Sequence, residues 1–171
     1  MSTPSVSIGR LVGLALLAFL ILASYEATRP PVESLFLAEH GRDALPQVWL
    51  LVAVGAAASV AVYNSFAARI ALLPLLAGCT VLSAVLLLGL LWASETKLPG
   101  HAYLFYLWKD LYIVVLLETF WAYANATTPL KQARWLYGGL LAAGTLGSLT
   151  GGTLAGKVAA ASGLQATLWL A

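Results

Sequence analysis

Charge is scarce in this chain. Asp, Glu, Lys and Arg make up 9% of its 171 residues, where a soluble domain carries about 25%. That scarcity excludes an ordinary water-facing surface. The formal net charge is +2, too small for the basic footprint of a nucleic-acid binder. Cysteine is scarcer still. Cys79 alone makes no internal disulfide and no multi-cysteine metal site, and it reads as a small residue packed in a helix. His40 and His101 fall in separate polar stretches with no ligand pattern beside them, so no metal is implied. No Ser-His-Asp arrangement is present, no catalytic residues are expected and no cofactor is called for. Alternation of apolar and polar residues, the mark of a membrane strand, is also missing.

Apolar residues are abundant instead. They form 61% of the chain, against about 45–50% in soluble proteins. No charge occurs from Val48 to Ala68, from Ile70 to Ser94, or from Trp135 to Gly156. Runs of about 20 uncharged residues, at about 1.5 Å of helical rise each, match the hydrocarbon slab of a bilayer. The expected fold class is therefore all-α, a polytopic transmembrane helix bundle that forms one membrane domain over residues 1–171.

The first apolar segment runs from Leu11 to about Tyr25, and a signal peptide is its rival reading. Arg29 to Asp43 reads as a polar loop opened by Pro30 and Pro31. A second helix is expected from Pro46 to Asn64 and a third from Ile70 to Trp92, with Pro74 harmless in its first turn. After a polar stretch, a fourth spans Tyr103 to Asn125. Thr127, Thr128 and Pro129 read as a cap with proline in the first turn of a fifth helix, which continues to about Ala160. Ser162 and Gly163 mark a break. Leu164 to Ala171 opens a sixth apolar segment, which falls short of the about 20 residues a crossing needs. A fragment is expected. Trp49, Trp92, Trp108, Trp121, Trp135 and Trp169 lie mostly near predicted helix ends, as interfacial belts do.

The fourth segment carries the chemistry. It places Lys109, Asp110 and Glu118 in an apolar stretch of membrane length, where each ionised group costs about 2.5–3.5 kcal/mol at mid-bilayer. At about 100° per residue, Asp110, Trp121, Asn125 and Glu118 fall in one sector and Lys109 lies to its other side. Such a stripe predicts a helix lining a polar cavity; a structural ion pair at Glu118 and a snorkelling Lys109 are the blander readings. Lys131 and Arg134, at the start of the fifth segment, suit the approach of an anion or simple flanking charge. The fifth segment itself is rich in glycine. Gly147 and Gly151 are four apart, as are Gly152 and Gly156, the spacing that lets helix backbones touch. A phosphate loop is excluded, since no Gly-Lys-Ser/Thr ending and no preceding strand occur.

The order of these residues resembles a known family. Tyr106-Leu-Trp108-Lys-Asp110-Leu111, then Phe120-Trp121 with Asn125 downstream, then Lys131-Gln-Ala133-Arg134 with Tyr137-Gly138, is similar to the ATP/ADP translocase-like nucleotide transporters of the major facilitator type. The resemblance covers roughly a third of the chain. It implies a major-facilitator-like six-helix half with the sixth helix truncated, the N-terminal half of a twelve-helix transporter whose C-terminal half is missing. It implies exchange of nucleotides or related organic anions by alternating access, in a bacterial inner membrane. Asp110, Glu118 and Asn125 would then line the central cavity, with Lys131 and Arg134 at the cytoplasmic mouth. Two other classes compete. One is a non-transporting membrane module that anchors or regulates a soluble domain, and the other is a membrane enzyme, for which no catalytic set appears.

Overall fold

The computed structural model describes residues 7–170, without the side chains of Leu130, Lys131, Leu164 and Gln165. Five α-helices follow in chain order: α1 Ile8–His40, α2 Leu45–Ala67, α3 Leu72–Glu95, α4 His101–Thr127 and α5 Leu130–Ser162. Two 3-10 segments, Arg42–Ala44 and Leu164–Leu170, complete the described residues, among which there is no strand. Three stretches are long and apolar enough to cross a membrane: α1, the span Arg42–Ala67 that contains α2, and α3. The protein is an all-helical membrane protein on that ground. The helices form two compact units, one of residues up to Thr28 with Phe120 onward, the other Arg29–Thr119.

The expected polar loop at Arg29–Asp43 is not a loop. It is the last third of α1, which runs unbroken to His40 with Pro30 and Pro31 inside it. Proline holds φ near the helical value and costs only the N–H bonds of its own position and some crowding. Packing offsets that cost here. Pro31, Val32 and Phe36 are fully buried, and Arg29 Nε donates to Glu33 Oε1 at 3.2 Å across one turn. The residues that look like loop charges in the sequence are therefore set at helical spacing.

The other boundaries shift by a few residues. Pro46 stands in the first turn of α2, and Pro74 in that of α3. The expected cap of α5 is different. Thr127 closes α4, its hydroxyl donating to the Tyr123 carbonyl at 2.7 Å, so it has no role at the next helix. Pro129 precedes α5 in an extended conformation instead of forming its first turn. Gly163, at φ 84°, ends α5 where a side chain would be strained. The last apolar segment is a 3-10 turn, whose tight geometry rises faster per residue than an α-helix but is used in short pieces.

In the first unit, α5 packs against the start of α1 through glycine. A Cβ on Gly147 would sit 2.9 Å from the Cα of Phe19, and one on Gly151 would sit 2.8 Å from the Cα of Ala23. The two glycines and their two partners are each four residues apart, so the backbones lie ridge to ridge. In the second unit, α4 is the central element. Trp108 Nε1 donates to the Ser83 carbonyl at 3.2 Å on α3, and Trp49 Nε1 on α2 donates to the Tyr106 hydroxyl at 3.1 Å. Phe36 of α1 meets the rings of Tyr103 and Tyr106 edge-on, with centroids 4.9 and 5.0 Å away.

Candidate functional site

Lys109 is the most deeply buried charge. Its side chain is 2% exposed, and Nζ lies 2.9 Å from Asp110 Oδ1 and 3.4 Å from Glu33 Oε1. The ammonium also stands 4.2 Å from the centre of the Tyr106 ring, within cation–π range. Adjacent residues on a helix do not normally face one another. Lysine's four-carbon stem overcomes that here by bending its nitrogen back to its neighbour.

Arg29 extends the cluster, since it shares Glu33 Oε1 with Lys109. Two cations and two carboxylates form one chain, Arg29–Glu33–Lys109–Asp110, with no net charge. Neutrality is what allows a lysine to remain buried, because an unpaired ammonium in a low-dielectric setting is strongly disfavoured. Glu33 is the member that sequence reasoning misses. Its signal is the i, i+4 spacing with Arg29, which becomes visible once the two prolines are read as helical.

A second pair lies at the ends of α1 and α4. His101 Nε2 is 3.0 Å from Glu39 Oε1, and its Nδ1 is 2.9 Å from the Leu98 carbonyl. The neighbouring His40 ring stacks on Phe36 at 5.1 Å. No group of three or more metal-ligating side chains occurs among the described residues.

The remaining expected site residues are scattered by environment. Glu118 is exposed, and no hydrogen bond or ion pair engages it among the described residues. It shares a unit with Lys109 and Asp110 but not their cluster. Trp121 and Asn125 belong to the other unit. There Tyr137 of α5 donates its hydroxyl to Asn125 Oδ1, and Trp121 meets the Tyr137 ring edge-on at 5.6 Å. Asn125 thereby joins the end of α4 to the first turns of α5. Arg134 is exposed nearby on α5. The side chain of Lys131 lies outside the described residues. Gly147 and Gly151 touch α1 as described, whereas a Cβ at Gly152 or Gly156 would meet nothing within 4 Å. The two small-residue pairs therefore differ: one is closed on α1, the other is open.

The arrangement can hold charge against the Tyr106 ring in one unit, and in the other it holds the Asn125 amide against Tyr137. No protein-family model matches the chain, and no curated protein or solved structure is significantly similar to it.

Proposed function

We propose that the chain is one multi-pass half of a membrane transporter that carries an organic anion, with nucleotides the first class to test. The observation that carries this reading is the buried Lys109, held by Glu33, Asp110 and the Tyr106 face between two long and largely apolar helices. Ionisable groups within membrane helices are costly, and they mark substrate or ion paths. The order of residues from Tyr106 to Gly138 adds the resemblance to nucleotide exchangers. On this reading α4 and α5 also cross the bilayer, in a major-facilitator-like half. Asp110, Lys109 and Glu118 are the candidates to face the path in one unit, Trp121 and Asn125 in the other, and Lys131 and Arg134 are the candidate entry residues.

The test uses the protein in vesicles preloaded with ADP and given labelled ATP outside. Uptake that requires internal nucleotide, and that falls at least about tenfold when Glu118→Ala is made in folded protein, is the expected result. A folded protein that takes up neither ATP nor a panel of other anions would overturn the reading. The anchoring membrane module would then stand in its place, since it uses the same apolar helices without a path.

A further inference from the structure

We propose that the face of α4 bearing Glu118 is a docking surface for a second membrane helix, one that carries a basic residue. Leu104, Leu107, Leu111, Val114 and Glu118 stand alternately three and four residues apart, which is the spacing of a helix-packing seam. They are also the less covered side of the helix. Leu104 and Glu118 are exposed and the three between them half-buried, while Phe105, Trp108, Tyr112, Leu116 and Thr119 on the adjoining side are buried. The covered stripe thus packs within the unit, and Leu111 at the seam's edge reaches Gly55 of α2, so Leu107, Val114 and Glu118 are the positions left for something else.

Charge decides what that something is. Glu118 has no hydrogen bond or ion pair among the described residues, and apolar side chains precede it from Ile113 to Leu117. An ionised carboxylate facing hydrocarbon costs about as much as the strongest single contact between membrane helices returns. A lysine or arginine on the docking helix removes that cost and bonds in the same step. A second copy of this chain does the opposite, because twofold pairing along this seam brings Glu118 against Glu118. The inference rests on α4 lying in the bilayer, as in the transporter reading, but not on transport itself.

The chain, donor-labelled on an N-terminal tag, is placed in phosphatidylcholine vesicles with acceptor-labelled polyleucine helices. One helix has a central lysine and the other has none. The lysine helix is expected to associate about tenfold more tightly. Glu118→Leu abolishes the preference, and Glu118→Lys transfers it to a helix with a central glutamate. Equal association of the two helices, or a preference that survives Glu118→Leu, overturns the proposal. So does strong energy transfer between copies of the chain that Glu118→Leu removes, because the occupant is then a second copy. Glu118→Cys made with Cys79→Ser reports the premise separately: rapid reaction with a charged, impermeant maleimide places position 118 in water, whether bulk or a transport path, and sinks the docking surface.

Discussion

Lys109 owes its position to three partners of unequal strength. Asp110 is nearest, Glu33 is farther and shared with Arg29, and the Tyr106 ring supplies a face. Removing the ammonium strands Asp110, which is only partly open to solvent, while Glu33 keeps Arg29. Lys109→Met is expected to cost about 2 kcal/mol, below the range for a fully buried pair because Glu33 and Asp110 retain some solvent. Equilibrium unfolding in mixed detergent micelles reads it. Adding Asp110→Asn to that variant is expected to return most of the loss, since a neutral amide needs no counter-charge; a double variant weaker than the single one argues against the cluster as described. At this scale the sequence was half legible. Lys109 and Asp110 stand out because charge is rare around them. Glu33 does not, because two adjacent prolines make its surroundings read as a turn, whereas the burial of Pro31, Val32 and Phe36 and the Arg29–Glu33 contact favour the helix there.

The elements α1 and α5 meet at a contact that admits no side chain at two points. Gly147→Ala or Gly151→Ala forces the backbones apart and is expected to cost about 1–3 kcal/mol, as overpacking does. Gly152→Ala and Gly156→Ala meet open space, so helix propensity dominates and they are expected to be neutral or stabilising by up to about 1 kcal/mol. The four variants, compared in one unfolding series, check both statements; equal losses at all four would falsify the distinction. Spacing alone could not draw it, for both pairs have the same four-residue interval and differ only in what lies opposite. In α1, Pro30 is exposed and interrupts the bond its nitrogen would make to the Glu26 carbonyl. Pro30→Ala restores that donor and is expected to raise stability by about 1 kcal/mol in the same assay. A fall in stability instead means the interruption is held by contacts that need the ring.

Across the whole molecule, helix type and approximate placement were readable, because uncharged runs of membrane length leave few alternatives. The length of α1 was not, and neither was the short 3-10 form of the last segment. Both depend on packing with residues distant in sequence. Of the five helices, α4 and α5 are absent from the stretches apolar enough to cross a membrane unaided. In α4 the cause is Lys109, Asp110 and Glu118, and in α5 it is the glycines and hydroxyls. This has a consequence for how the protein is made. Synthesis runs from the N-terminus, so Glu33 exists before Lys109 emerges from the ribosome. The counter-charge is already waiting when the charge arrives. Segment α4 fused alone to a glycosylation reporter is expected to insert poorly, and to insert well when α1 precedes it. Glu33→Leu in α1 is expected to cancel that help. That result would make chain order, and not hydrophobicity alone, what admits the fourth helix to the bilayer.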